Sequence, residues 1–154
     1  MNYTVRTERV SAMPIAVVRR RAASGRLGPV VQEACGTVWN AVKAAGVKGA
    51  GRHVSVYLDC SGAQVDMEIG VELPSAFGGH GEVIDSLTPA GEVATVTHFG
   101  PYGGLGDAHR AVRDWCTKTG RTATGVNWEV YGHWLPEWNQ DPSRIRTDVF
   151  YLLK

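Results

Sequence analysis

Cysteine is scarce in this chain. Cys35, Cys60 and Cys116 are odd in number, far apart and without C-x-x-C spacing. That excludes a disulfide framework and argues against a zinc site. No apolar run approaches the roughly 20 residues of a membrane-spanning helix. The N-terminal stretch carries Arg6 and Glu8 without a long apolar core, so it does not read as a secretory signal. These absences point to a reducing cytoplasm and to no membrane contact. Neither sign of charge is in excess: 16 Lys and Arg stand against 15 acids, a net charge of +1. The longest basic run, Arg19-Arg20-Arg21, reads as a solvated strand end, and direct nucleic-acid binding is not expected. Phosphate loops are missing too, because no Lys-Ser/Thr pair follows Gly78-Gly79-His80-Gly81 or Gly103-Gly104. His98, His109 and His133 have no ligand spacing, so neither a metal nor another cofactor is expected. His98 reads as a structural histidine at a strand end. No G-x-S-x-G or Cys–His constellation is present.

What the chain does have is regular pattern. Its 154 residues, 44% of them hydrophobic, suit one domain or two small fused halves. Tyr3 to Val10 and Ile15 to Arg21 alternate as strands. Pro29 opens a helix in which Val31, Ala34, Cys35, Val38 and Val42 share one stripe. Cys35 and, further on, Cys116 read as small core residues. His53–Asp59 and Gln64–Leu73 alternate around a short turn and predict a hairpin. A glycine-rich loop follows, and then the order repeats. Glu92–Phe99 is a strand. A helix runs from the Gly100–Gly104 loop to about Lys118, with Leu105, Ala108, Val112, Trp115 and Cys116 on its apolar stripe. Val126–His133 and Thr147–Leu153 are strands.

The repeat is also visible in letters. Gly28-Pro29 and Gly100-Pro101 each precede a helix. Gly51–Tyr57 (GRHVSVY) aligns without gaps on Gly125–Tyr131 (GVNWEVY), with Gly, Val and Tyr in common. The fold class expected is therefore α+β: one strand-helix-strand-strand unit used twice, spanning residues 1–74 and 82–154 of a single domain. Two such units pair their sheets edge to edge. The helices would then cover one face and leave a shared groove on the other.

Strand alternation selects the side chains of that groove. If Val126, Trp128 and Val130 face the helices, Asn127, Glu129, Tyr131 and His133 face the groove. By the same parity Val54, Val56 and Leu58 face the helices, and His53, Ser55, Tyr57 and Asp59 face the groove. Ser55 then stands where Glu129 stands in the second half. Tyr151 turns inward if Phe150 and Leu152 face the helices, although Val149 and Leu153 leave that register open.

A carboxylate among aromatic rings is a binding arrangement. Ring faces attract cations, at about 0.5–2 kcal/mol per contact. A half-dry carboxylate gains from a cationic partner, and burial by itself raises its pKa. Glu129 could equally serve as a base that activates water. Alternation alone also admits a solvated Glu129 and tyrosines that are ordinary sheet aromatics.

The stretch His98-Phe-Gly-Pro-Tyr-Gly-Gly-Leu105, the helix ending at Trp115, Trp128-Glu-Val-Tyr131 and Thr147-Asp-Val-Phe-Tyr-Leu-Leu153 resemble the gyrase-inhibitor-like, or effector-binding, domain family. Asp66-Met-Glu-Ile-Gly-Val-Glu-Leu73 fits it as well. The resemblance implies a pseudo-two-fold pair of SHS2 modules around a groove for hydrophobic, often cationic, aromatic compounds. Glu129 matches the family's ligand-contacting acid. Tyr57, Tyr131, Ser55, Asn127, Tyr151, His53 and Trp138 are its expected companions, Trp138 from an unusually aromatic Trp134–Trp138 segment. The family includes DNA-binding regulators of multidrug response, a gyrase inhibitor and hydrolases of cyclopropane-bearing toxins. The chain begins at its first strand, which leaves no room for a helix-turn-helix. The function expected is multidrug binding or protection. Hydrolysis of strained rings with Glu129 activating water is one alternative, and a contact with DNA gyrase is another.

Overall fold

The computed structural model describes residues 2–154. Its strands are β1 (Arg6–Val10), β2 (Pro14–Ala23), β3 (His53–Asp59), β4 (Gln64–Glu72), β5 (Ile84–Leu87), β6 (Gly91–Phe99), β7 (Ala123–Tyr131) and β8 (Arg146–Leu153). Helix α1 (Leu27–Ala44) lies between β2 and β3, and α2 (Leu105–Thr119) between β6 and β7. All eight strands form one antiparallel sheet in the order β1-β6-β8-β7-β3-β4-β2-β5. The fold is α+β, with both helices on the same face. Neither helix is long and apolar enough to cross a membrane. α2 ends at Gly120, whose φ of 72° is the left-handed conformation that closes a helix without a Cβ clash.

The sheet order reads the same from both ends: β6-β8-β7 on one side and β2-β4-β3 on the other. The register of the central pair is equally symmetric. Ser55 lies opposite Glu129, His53 opposite Tyr131 and Tyr57 opposite Asn127. A two-fold axis between Ser55 and Glu129 carries Ser55 onto Glu129 and Tyr57 onto Tyr131, as the ungapped match of the two segments requires. We infer from this a duplication with halves 1–74 and 82–154. Under it each half lends its leading strand to the other: β1 pairs with β6, and β5 with β2.

Three apolar clusters hold the molecule together. Under α1, Ala34, Val38 and Val42 pack on Ala16, Val18, Met67 and Ile69. Under α2, Ala108, Val112 and Cys116 pack on Ala94, Val96 and Val149. The third cluster, on the helix-free face, joins Ile15 and Val17 of β2 to Val54, Val56, Trp128, Val130 and Val93. Ile15, Val17, Val54 and Val93 are fully buried there although no helix covers them. The sheet must therefore curl towards that face, where Trp128 also stacks on its β8 neighbour Phe150 at 5.2 Å. At Gly70 the wall of β2 comes so close that an added Cβ would lie 1.7 Å from the Ala16 carbonyl oxygen.

This curl corrects one expectation. Val54, Val56, Trp128, Val130, Phe150 and Leu152 belong to the helix-free cluster, not to the helix side. Their parity is as read, but the face is reversed. The groove residues lie on the helix side, so the groove opens between the helices and not on the opposite face. β5 was not expected either. Its four residues lack an apolar alternation, and they join the sheet only because β2 offers an edge.

Candidate functional site

A groove of about 2120 Å³ runs between α1 and α2, with β3 and β7 as its floor. One wall is the i, i+4 row Val31, Cys35 and Trp39 of α1; the other is Leu105, His109 and Arg113 of α2. Tyr57, Asn127, Glu129, Tyr131 and Tyr151 line the floor. Directly paired antiparallel residues share a face, which is why one register fixes the floor from two strands. Large side chains stand at the rim with much of their surface exposed: Trp39 at 42%, Tyr102 at 44% and Trp134 at 51%.

Glu129 is buried and fully engaged. Tyr57 donates its hydroxyl to Oε1 at 2.8 Å, and Tyr131 donates to the same oxygen at 2.5 Å. His109 Nε2 lies 2.6 Å from Oε2. An N–H at Nε2 faces the carboxylate, and Nδ1 pairs with the Tyr151 hydroxyl at 2.7 Å. The Tyr151 oxygen in turn accepts from Arg113 Nη1 at 3.3 Å. Ser55 Oγ sits 3.0 Å from the Tyr131 hydroxyl.

Electrostatics follow from these partners. Burial pushes the Glu129 carboxyl up, but the hydrogen bond and charge of His109 and the hydroxyls of Tyr131 and Tyr57 outweigh it, so the net shift is downward. This reverses the direction that burial alone implies, because the compensating donors come from elements distant in sequence. Burial, and then the neighbouring Glu129 charge, push Tyr57 and Tyr131 upward. Burial raises Tyr151 as well. The site is an ionised acid held among neutral phenols.

The other expected residues divide. His53 lines the groove, and its buried Nδ1 has no partner among the described residues. Asn127 lines the floor and reaches the Gly125 carbonyl at 3.5 Å. Ser55 is fully buried beneath the Tyr131 hydroxyl and does not reach the cavity wall. Trp138 is buried away from the groove and meets Trp134 edge-on at 5.4 Å; Trp134 is the member of that segment that lines the cavity. Cys35 lines the groove as well as packing on the core. His98 is structural: Tyr3 and the Pro101 carbonyl bracket its two nitrogens at 2.8 and 3.0 Å.

His109 and Arg113 were missed. Their signal was local: both sit one position after an apolar stripe residue, Ala108 and Val112, and both continue the row from Leu105. A polar pair on the edge of a buried stripe faces whatever adjoins the core. Nothing in the sequence says that this neighbour is Glu129.

Comparison with known proteins fits this geometry. The chain is similar to the EcmrR C-terminal domain, at 23% identity and a TM-score of 0.75, over 100% of this chain and 99% of that one. It is similar to SAV2435, solved bound to tetraphenylphosphonium, at 11% identity and a TM-score of 0.64, over 100% and 94%. It is also similar to a hydrolase from Listeria innocua, at 12% identity and a TM-score of 0.64, over 97% and 91%. At such identities these likenesses speak to the fold. No curated protein sequence matches the chain. The profile of one family covers residues 3–153. The chain belongs to the family of GyrI-like small molecule binding domains.

Proposed function

We propose that the chain binds flat, lipophilic molecules, aromatic cations among them, in the groove between α1 and α2, with Glu129 as the acidic contact. The observation that carries this is one buried, ionised carboxylate at the floor of a large groove whose walls and rim are aromatic and aliphatic. Planar rings find apolar area against Val31, Cys35 and Trp39 on one side. A positive centre gains from the Glu129 charge and from the faces of Tyr57 and Tyr131. The neighbour solved with tetraphenylphosphonium supports the cationic part of this reading. The role that fits is a sink or sensor for drugs, dyes or toxins in the cytoplasm, without direct contact to nucleic acid. Titration of tryptophan fluorescence with cationic dyes and neutral analogues of like shape tests it. Glu129→Gln should weaken cations by about 1.5–3 kcal/mol, the range for a charged hydrogen-bonding partner, and leave neutral dyes nearly unchanged. Absence of saturable binding by any dye would sink the reading.

The Glu129–His109–Tyr151 chain favours a second reading, a hydrolase of strained-ring electrophiles. In it Glu129 is the base that takes the proton from water, and His109 holds the carboxylate in place. Product analysis with a cyclopropane-bearing alkylator tests it, with Glu129→Gln as the inactive control.

A further inference from the structure

We propose that Arg113 is an anion contact within the groove, so that its preferred ligand is a flat aromatic zwitterion: a delocalised cation bearing a carboxylate or similar anionic group. This rests on the binding function proposed above and narrows its ligand class. The argument begins with the charged side chains that line the groove, which are Arg52, Asp59, Arg113 and Glu129. Arg52 is engaged by Glu72 at 3.1 Å and by Asp148 at 3.6 Å. Asp59 accepts from the backbone N–H and the hydroxyl of Ser61 at 2.9 and 2.6 Å. Glu129 is held by two tyrosines and His109. Arg113 alone has no carboxylate within ion-pair distance among the described residues. Its single side-chain partner is the neutral Tyr151 hydroxyl, at 3.3 Å.

Placement strengthens the point. Arg113 follows His109 by one helical turn on the wall of α2, so its guanidinium stands on the same wall as the group that holds Glu129. A guanidinium has five donors in a planar fork, and one bond to a phenol leaves most of that fork open. It matches a carboxylate in geometry as well as in charge. Arg113 is connected to Glu129 by the chain Arg113–Tyr151–His109–Glu129. The groove thus offers an acid beneath the aromatic floor and an open cation on the wall beside it. A ligand carrying only positive charge meets the second group as a repulsion; a zwitterion satisfies both. The opposite wall has Trp39 at the turn corresponding to Arg113 and so has no counterpart to it.

The test uses rhodamine B, a xanthylium cation with a free carboxylate, and rhodamine B ethyl ester, which keeps the cation and loses the anion. Fluorescence anisotropy gives Kd for each with the full chain. Rhodamine B should bind about tenfold more tightly than its ester, and Arg113→Gln should remove that preference by weakening rhodamine B and, with the repulsion gone, tightening the ester. Arg113→Lys should keep part of the preference, because it retains the charge without the fork. Equal binding of the two dyes by the unaltered chain would overturn the anion contact and leave the groove's binding function standing. A preference that survives Arg113→Gln would also overturn it, by placing the carboxylate elsewhere. Saturable binding of neither dye would overturn the binding reading and this inference with it.

Discussion

The two walls of the groove come from helices in corresponding places, and they differ in chemistry at two of the three matching wall positions. One constant shift along the chain takes Val31 to Leu105, Cys35 to His109, Trp39 to Arg113 and Ser55 to Glu129. The packing positions change little under it: Ala34 becomes Ala108 and Val38 becomes Val112, both pairs fully buried. Of the four pairs named first, Val31 to Leu105 stays apolar, while the other three change from apolar or small to titratable. Under the inferred duplication, one half has kept a plain apolar wall and the other carries the charges. Core positions are held by volume, since close-packed interiors tolerate little change. Groove positions face space, so their chemistry is free to diverge. A buried carboxylate is costly without partners, and Glu129 draws them from both halves: His109 and Tyr131 from its own, Tyr57 from the other.

The largest effect should come from forcing the halves to match where they cannot. Gly70 takes the place in β4 that Phe150 takes in β8. Phe150 stacks on Trp128, whereas Gly70 touches the backbone of β2. Gly70→Ala should cost about 3 kcal/mol in urea unfolding, because the β2–β4 ladder must shift to admit a Cβ. Phe150→Leu, at the matching place, should cost clearly less. Full tolerance of Gly70→Ala would mean that the two strands are not so close.

Next in size is removal of the polar wall. His109→Cys copies the residue of the first half and leaves Glu129 with the two tyrosines alone. The loss should be about 2 kcal/mol of stability at neutral pH, from a buried charge that loses one donor. Cys35→Ser, on the opposite wall, should change stability far less. Equal effects would show that the Glu129–His109 contact contributes nothing.

The same contact sets a pH dependence. The folded-state pKa of Glu129 is lowered, so its stabilisation is fully present above the unfolded value near 4.3 and is lost as pH falls through the lower folded value. The stability gap between the unaltered chain and Glu129→Gln should therefore be flat from pH 7 to about pH 5 and shrink below roughly pH 4.3. Denaturant unfolding across that range measures it. A gap that widens in acid would mean the shift has the opposite sign.

A binding measurement separates the walls more finely. Trp39→Ala should weaken cationic and neutral dyes alike, by about 1 kcal/mol, because it removes ring area and no charge. Selective loss of the cations would make Trp39 a cation contact and blur the division. The smallest effect belongs to Ser55, the residue opposite Glu129. Ser55→Ala removes one hydroxyl contact to Tyr131 and should cost about 0.5 kcal/mol of stability, with dye affinity unchanged.

The amino-acid order by itself determined the elements other than β5, and the parity of the central strands β3 and β7. Alternation and helical periodicity are local properties, and the run from Gly125 to Tyr131 shows Glu129 and Tyr131 on one side whatever surrounds them. It also placed Tyr57 on that side and left Tyr151 open; the structure brings Tyr57 to the acid and Tyr151 to His109. Which side faces the helices was decided by tertiary structure alone. Both faces of the central strands are buried, one by helices and one by the curl of the sheet, and apolar residues such as Trp128 and Val130 suit either. The partners of Glu129 were settled at the same level. His109 lies on a helix and Tyr57 on the far half, and only the closing of the β3–β7 seam and the docking of α2 set them within hydrogen-bond reach. The direction of the Glu129 shift follows from those donors, so it too belongs to the folded molecule. Hydrogen bonds between distant segments leave no period in a sequence, whereas the faces of strands and helices do.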